Sequence, residues 1–258
     1  MHRLQQQLLD DGYAIVPQAL SAARIAELRR VCADTHARYR ERNLSIGRFL
    51  DVPELASVPF DPAVVAGLRA ILGEHYTTIP EFTMQTASFG PWHTDGGSQG
   101  RAAHLYDPDY LQVECAIYLQ DNSSEYGGGL DVLPRSHREI ATLGSPYSLG
   151  RRVTRRLANA LRRPYSVPSK AGDLVAFHFR LLHRSTPSRA AVTPEDRTKY
   201  AVFWGATSTG RHARLYMDHL RTRQESNYVE MSQVRYPESY PTEVVESIRR
   251  QALTVASF

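Results

Sequence analysis

The sequence has only two cysteines, Cys32 and Cys115, among its 258 residues. Two thiols cannot form the disulfide framework that stabilises small secreted domains, so we expect a cytoplasmic protein in a reducing compartment. Residues 1–7 lack the apolar core of a signal peptide. Runs of consecutive apolar residues are also short, 174–177 being an example, so the sequence predicts no membrane span.

The chain has little excess charge of either sign. Its net charge is +4 and its pI is about 9.1, and no known nucleic-acid-binding motif accompanies this mildly basic balance. We therefore expect no nucleic-acid partner. The sequence also lacks internal repeats and low-complexity linkers, which favours one domain over residues 1–258, and no feature indicates an oligomeric state.

Helical periodicity dominates the N-terminal part of the chain. The pattern predicts a short helix at the N-terminus, a strand over 13–16, a long helix that Ser21 caps, and another helix over 61–73. We expect the two longer helices to pack against the outside of a sheet. Thr242 is predicted to cap a last helix that includes Leu253.

From residue 75 the apolar pattern changes from a helical period to alternation. Leu111 and every second residue up to Leu119 are apolar, whereas the intervening positions, Glu114 among them, are more polar. This predicts a strand with one dry and one wetter face. Short strands between Gly- and Pro-rich turns are typical of a sandwich or barrel, so the predicted fold class is mainly β with flanking helices. Further strands are predicted over 82–89, 129–133, 164–167, 173–180 and 199–206. The predicted parts are a mostly helical support (1–79), a β core (80–206) and a C-terminal loop and helix (207–258).

Candidate metal ligands occur as a His-x-Asp pair, His93 and Asp95, and a distant histidine. Residues i and i+2 of a strand point to the same side, so both can reach one ion. Two imidazoles and one carboxylate form the ligand set of many Fe(II) enzymes, with coordination positions left open. Taken singly, each residue is more often a hydrogen-bonded histidine or a turn aspartate, since the chain has ten histidines. His183 and His178 are the alternatives for the distant ligand.

Three sequence blocks, with their order and spacing, carry a resemblance to a known family: PWHTD at 91–95; AIYLQD at 116–121 followed by GGGLDVLPRSH at 127–137; and GDLVAFHFRLLHRS at 172–185. The chain resembles the phytanoyl-CoA dioxygenase family of Fe(II)/2-oxoglutarate oxygenases over residues 80–206. The resemblance implies a double-stranded β-helix of the jelly-roll (cupin-like) kind. It also implies His93, Asp95 and His183 as the metal ligands and catalytic centre, with His178 structural.

The resemblance further implies a pocket for 2-oxoglutarate, whose distal carboxylate suits a planar guanidinium. In the family an arginine follows the distal histidine on the next strand. Arg197, which directly precedes a predicted strand, is the expected residue here; Arg189 is the alternative, and Lys199 is also available. Further expected contacts to the co-substrate come from Ser185, Thr94 and Gln85.

Two segments are candidates for contacts to the primary substrate. Arginines crowd the region 151–163, and Arg152 and Arg156 would meet an anionic substrate if this region forms a lid; a solvated surface helix is the alternative. Tyr106 and Tyr110 follow the His-x-Asp pair, and Tyr118 lies on the alternating strand.

The expected function is Fe(II)/2-oxoglutarate-dependent hydroxylation of an aliphatic C–H bond in a small, polar or anionic metabolite. Oxygen is the second co-substrate, and succinate and carbon dioxide are released. The intact Asp95 indicates a hydroxylase, because related halogenases have a small residue in its place. The alternatives are a non-oxidative cupin-like enzyme that uses Zn²⁺ or Mn²⁺, an acyl-CoA hydroxylase of the same family, and an inactive binding protein.

Overall fold

A computed structural model describes residues 2–97, 104, 107–123, 125–138, 162–223 and 226–257. The helices among these residues are α1 (Arg3–Asp11), α2 (Ala22–Tyr39), α3 (Ile46–Leu50), α4 (Pro53–Ala56), α5 (Pro62–Leu72), α6 (Gly210–Arg223), α7 (Ser226–Ser232) and α8 (Thr242–Arg250). The strands are β1 (Tyr13–Val16), β2 (Thr77–Thr86), β3 (Gln112–Tyr118), β4 (Leu130–Val132), β5 (Tyr165–Val167), β6 (Leu174–His178), β7 (His183–Ser185), β8 (Tyr200–Thr207) and β9 (Thr254–Val255).

The helix starts follow from their capping residues. The Ser21 hydroxyl accepts a hydrogen bond from the amide of Arg24 (3.2 Å) and begins α2. The Asp61 carboxylate accepts from the amide of Ala63 (2.9 Å) and begins α5, where the next residue is a proline. Both helices therefore begin where the sequence predicts.

The strands form two facing sheets. The large sheet has the order β1-β6-β3-β8-β2-β9, and the small sheet has the order β5-β4-β7. From β5 to β8 the chain alternates between the small and the large sheet, which is the winding of a double-stranded β-helix. The mainly β fold with flanking helices agrees with the prediction.

Two apolar layers lie on opposite sides of the large sheet. The larger layer joins Leu28 of α2 and Leu68 of α5 to Cys115 and Trp204 of the sheet, all of them buried. The two helices thus pack on the outside of the sheet, as predicted. The smaller layer lies between the sheets and includes Phe177. It closes only part of the interior, and the remainder is a cavity.

Three predicted boundaries are wrong. The strand predicted over 173–180 ends at His178, because the chain turns and begins β7 in the other sheet at His183. The strand predicted over 82–89 is β2, which begins earlier, at Thr77. The last helix ends at Arg250, and β9 follows it as an edge strand parallel to β2.

One described stretch, Pro53–Leu72, is long and apolar enough by composition to cross a membrane, and most of it is buried in the protein. This stretch is not recognised from runs of consecutive apolar residues, because Glu54, Asp61 and Arg69 interrupt it. In the structure it comprises α4, a short 3-10 helix and α5, which pack in the larger apolar layer.

Candidate metal centre

Backbone pairing brings the two candidate histidine ligands together. The amide of His93 donates to the carbonyl of His183, and the amide of His183 donates to the carbonyl of His93, both at 2.9 Å. The amide of Ser185 also donates to the carbonyl of Gly90 (3.1 Å). The segment around His93 therefore runs antiparallel beside β7, at the edge of the small sheet. Opposed residues of such a pair project to the same face, and the two imidazole centroids are 4.3 Å apart.

Each imidazole has its Nδ1 atom occupied by a backbone carbonyl. Nδ1 of His93 lies 2.7 Å from the oxygen of Pro91, and Nδ1 of His183 lies 2.9 Å from the oxygen of Leu181. A carbonyl oxygen only accepts, so Nδ1 carries the proton and donates it. The Nε2 lone pair then remains available, which is the tautomer that a metal ligand needs.

Asp95 completes the set at the start of a 3-10 helix (Asp95–Gly97). Its Oδ1 atom lies 3.6 Å from Nε2 of His93 and 3.7 Å from Nε2 of His183. Its Oδ2 atom is buried and has no hydrogen-bond partner among the residues that the structure describes. Two free imidazole nitrogens beside an unpartnered carboxylate oxygen fit a divalent cation, and the three residues are close enough to share one ion.

Burial also favours the neutral form of His183. Burial lowers the pKa of His183, and the nearby Asp95 carboxylate opposes this effect only in part. The ring of Phe177 packs against this imidazole, with 4.7 Å between centroids. His183 is thus a neutral, fixed donor at neutral pH.

Arg184 faces away from the metal centre and connects the segment that contains His93 to the strand that contains His183. Its guanidinium lies 4.9 Å from the ring centroid of Trp92, and its Nε donates to Oδ2 of Asp131 (3.0 Å). Oδ1 of Asp131 accepts from the hydroxyls of Ser166 (2.6 Å) and Thr186 (2.8 Å). Although burial acts in the opposite direction, these hydrogen bonds lower the pKa of Asp131. A charged Asp131 therefore holds Arg184, which covers Trp92, the residue before His93.

The candidate ligands open into a cavity of about 220 Å³ between the two sheets. The wall of this cavity, which we call the metal cavity, is made by Gln85, Ser88, Gly90, His93, Asp95, Glu114, Tyr118, Leu130, Phe177, His183, Ser185, Lys199 and Phe203. Three of the residues predicted to contact co-substrate or substrate therefore line it, namely Gln85, Ser185 and Tyr118.

Lys199 is the basic residue in this wall. Its side chain is buried, its Nζ donates to the carbonyl of Ser88 (3.2 Å), and it lies over the rings of Phe89 (5.3 Å) and Tyr118 (5.7 Å). Burial lowers the pKa of Lys199 to about 8. A desolvated ammonium group that has no carboxylate partner within the described part of the chain suits an anionic ligand that enters the cavity.

The structure does not bring the predicted arginines to the metal cavity. Arg197 is exposed in a 3-10 helix, with its Nε 3.6 Å from Oδ2 of the adjacent Asp196, and it lines a second cavity, whose wall also includes Lys199. Arg189 is exposed in the preceding loop. Because β8 begins three residues later, at Tyr200, Lys199 enters between the sheets and Arg197 stays outside the metal cavity.

Other predicted residues are also remote from the cavity wall. Thr94 is not part of the wall, and Tyr110 is buried in the larger apolar layer, where its hydroxyl donates to Gln112. The predicted substrate contacts Tyr106, Arg152 and Arg156 lie outside the described residues.

The structure separates His178 from the metal centre. His178 is the last residue of β6 in the large sheet, not a neighbour of His183 on one strand, and its ring packs 5.0 Å from that of His137. Its Nδ1 accepts a hydrogen bond from the amide of Arg180 (3.1 Å), and burial holds the pKa of His178 well below its usual value. These contacts suit the structural role that the sequence implies.

Glu114 is a cavity residue that the sequence did not single out. It projects from the wetter face of β3 into the metal cavity. Its position in that alternating strand was visible in the sequence, but the identity of the inner face was not.

Known structures share this architecture at low sequence identity. The non-heme alpha ketoglutarate dependent epimerase SnoN from nogalamycin biosynthesis is 16% identical with a TM-score of 0.58, over 80% of this chain and 79% of that chain. The carbocyclase SnoK from the same biosynthesis is 17% identical with a TM-score of 0.59, over 82% and 89%. EctD from S. alaskensis, with bound Fe, is 17% identical with a TM-score of 0.57, over 80% and 75%. These likenesses support the jelly-roll fold.

Among curated proteins, none matches the chain at a significant level of sequence similarity. The family model of phytanoyl-CoA dioxygenase, however, matches residues 8–193, which is more than two thirds of the chain and includes all three candidate metal ligands. The chain therefore belongs to the phytanoyl-CoA dioxygenase family.

Proposed function

We propose that the protein is an Fe(II)/2-oxoglutarate-dependent dioxygenase that hydroxylates an aliphatic C–H bond of a small polar metabolite. Family membership supports oxygenase-type chemistry. The observation that carries the proposal is the convergence of His93, Asp95 and His183 on one side of a cavity that also contains a buried lysine. When bound, iron and 2-oxoglutarate supply the oxidising chemistry with O₂ and release succinate and carbon dioxide.

The three ligands have distinct tasks in this proposal. Nε2 of His93 and Nε2 of His183 are the neutral donors, and the Asp95 carboxylate adds one negative charge. The carbonyls of Pro91 and Leu181 hold the imidazoles in the tautomer whose Nε2 lone pair can bind the metal.

Lys199 is the proposed partner of the distal carboxylate of 2-oxoglutarate. It is buried, it lines the metal cavity, and its ammonium group has no carboxylate partner among the described residues. Ser185 and Gln85 line the same wall and supply polar groups to the co-substrate, and Tyr118 forms the aromatic surface beside the lysine. A charge-assisted hydrogen bond at a buried site is worth about 1.5–3 kcal/mol, enough to orient a small dicarboxylate.

The first test is co-substrate binding without turnover. In anaerobic protein with Mn²⁺ in place of iron, millimolar 2-oxoglutarate should raise the melting temperature of the wild type. Asp95→Ala should abolish the metal-dependent shift, with the exposed Asp196→Ala as the matched control. The absence of any 2-oxoglutarate shift in the metal-loaded wild type would favour the non-oxidative metalloenzyme.

The second test is the reaction outcome. Candidate metabolites, including acyl-CoA esters, are screened with Fe(II) and 2-oxoglutarate for substrate-coupled succinate, and products are analysed after reaction under labelled O₂. Hydroxylation requires one labelled oxygen atom in the product. Epimerisation or ring closure without label would refute hydroxylation and leave the cofactor assignment intact.

A further inference from the structure

Glu114 lies on the inner face of the large sheet. In the register of the sheet it is opposite Phe177 of β6 and Gly205 of β8, and it shares the metal cavity with Asp95. Within the part of the chain that the structure describes, its carboxyl group makes no hydrogen bond and no ion pair. A titratable group in the wall of the metal cavity thus has no partner among the described residues.

The surroundings of this carboxyl group oppose its charge. Burial, followed by the nearby carboxylates of Asp95 and Glu81, raises the pKa of Glu114 well above its usual value. The side chain is only partly buried, and it lines the metal cavity. Buried polar groups in native proteins are nearly always paired, so an unpaired carboxyl group in a ligand cavity indicates a partner supplied by the ligand.

The cavity has a basic end at Lys199 and an acidic end at Glu114. Tyr118, beside Lys199, and Glu114 are four residues apart on β3, so their Cα atoms are separated by roughly 13 Å along the strand. The distal carboxylate of 2-oxoglutarate is proposed to occupy the lysine end. Glu114 therefore remains for the primary substrate.

Charge balance indicates the sign of the charge on the ligand group that pairs with Glu114. A dicarboxylate co-substrate and the carboxylate of Asp95 are balanced by the divalent ion and the ammonium group of Lys199. A charged Glu114 would then be one uncompensated negative charge in a desolvated cavity. A cationic ligand group removes this excess, whereas an anionic substrate would increase it.

We propose that Glu114 determines substrate specificity and that the primary substrate carries a basic nitrogen, an ammonium or guanidinium group, which pairs with this carboxylate. The proposal rests on the proposed function, because it assigns the lysine end of the cavity to 2-oxoglutarate. It departs from the expectation of an anionic substrate. That expectation depends on Arg152 and Arg156, which lie outside the described residues.

The test uses three probes of equal chain length and different charge: pentylamine, pentanol and pentanoate. Their binding to full-length protein loaded with Mn²⁺ and 2-oxoglutarate under anaerobic conditions is measured by ligand-observed NMR. Relaxation by the paramagnetic Mn²⁺, against a Zn²⁺-loaded control, reports whether a bound probe lies near the metal. Pentylamine should bind at least about tenfold more tightly than the other two and should be relaxed by Mn²⁺.

Variants separate the charge of Glu114 from its size. Glu114→Gln should weaken pentylamine binding at least about tenfold, and Glu114→Asp should retain the preference for the amine. The exposed Glu195→Gln is the matched control and should bind like the wild type. Because Glu114→Gln replaces a desolvated carboxyl group by a neutral amide of similar size, it should melt no lower than the wild type, and its 2-oxoglutarate shift should persist.

Two results would overturn the inference: equal or tighter binding of pentanoate or pentanol to the wild type, or unchanged pentylamine affinity in Glu114→Gln. If either occurs while Mn²⁺ and 2-oxoglutarate still bind, the substrate assignment fails and the proposed function stands. If the wild type binds neither Mn²⁺ nor 2-oxoglutarate, the proposed function fails. Pentylamine titration of the metal-free protein then tests Glu114 alone, and a preference lost in Glu114→Gln would support its role.

Discussion

Lys199→Met should make the protein more stable and at the same time weaken the binding of 2-oxoglutarate. Methionine keeps much of the length and apolar character of the lysine stem but carries no charge. The difference between the ordinary lysine pKa of 10.5 and the value of about 8 for Lys199 corresponds to about 3 kcal/mol of unfolding free energy at neutral pH. The hydrogen bond to Ser88 and the contacts with Phe89 and Tyr118 offset part of this gain, so about 1–3 kcal/mol is expected.

The pH dependence follows from the direction of the pKa shift of Lys199. The folded protein loses this proton at about pH 8, below the ordinary lysine pKa of 10.5, so the unfolded chain binds more protons between the two values. Wild-type stability therefore gains from this group as pH rises between them, and the advantage of Lys199→Met shrinks. Affinity for 2-oxoglutarate has the opposite trend, because the free site loses its ammonium charge as pH rises through about 8.

Urea unfolding of the metal-free protein and calorimetric titration of the Mn²⁺-loaded protein measure the two effects. The loss of the charge-assisted hydrogen bond should weaken 2-oxoglutarate binding about tenfold to a hundredfold. Lys170→Met, at an exposed position, is the matched control and should change neither quantity. A destabilised Lys199→Met variant that binds 2-oxoglutarate like the wild type would refute the reasoning.

Substitutions also test the contacts that support the metal centre and the glycine turn before β4. Asp131→Asn should weaken Mn²⁺ affinity about tenfold or more by releasing Arg184, as measured by metal titration; unchanged affinity would show that this contact does not position the ligands. Gly127→Ala should lower the unfolding free energy by about 1–3 kcal/mol, because Gly127 has a φ of +67° and an added Cβ would lie 2.5 Å from the oxygen of Thr186. Gly47→Ala, in a helix with nothing within 4 Å of the added Cβ, should be neutral or stabilising in the same denaturation assay.

The sequence predicts those features that local patterns determine. Alternation from Leu111 to Leu119 predicts β3, and capping by Ser21 and Asp61 predicts two helix starts. The His-x-Asp spacing predicts a strand that carries both ligands, whereas in the structure His93 forms an isolated bridge and Asp95 begins a 3-10 helix. All of these depend on neighbours within a few residues, where side-chain direction follows from the backbone period.

Features that depend on tertiary pairing could not be predicted in this way. Whether Arg197 or Lys199 enters the cavity depends on where β8 begins, which its pairing with β3 determines. One signal was present, since Lys170 and Lys199 are the only lysines of a chain that otherwise uses arginine. The sequence could not show which face of β3 lies inside. An antiparallel sheet usually turns its polar face to solvent, whereas here the polar face with Glu114 lines the cavity.

The reciprocal backbone pairing of His93 and His183 makes the metal centre sensitive to insertions and deletions. A slip of one residue between Gly90 and His93 would turn the imidazole to the opposite side of the sheet and present Trp92 or Thr94 to the cavity instead. Point substitutions elsewhere in the cavity wall leave this alignment intact. Diversification of this scaffold can therefore proceed by exchange of side chains such as Glu114, whereas a change in the length of the 90–93 segment would remove the iron site in a single step.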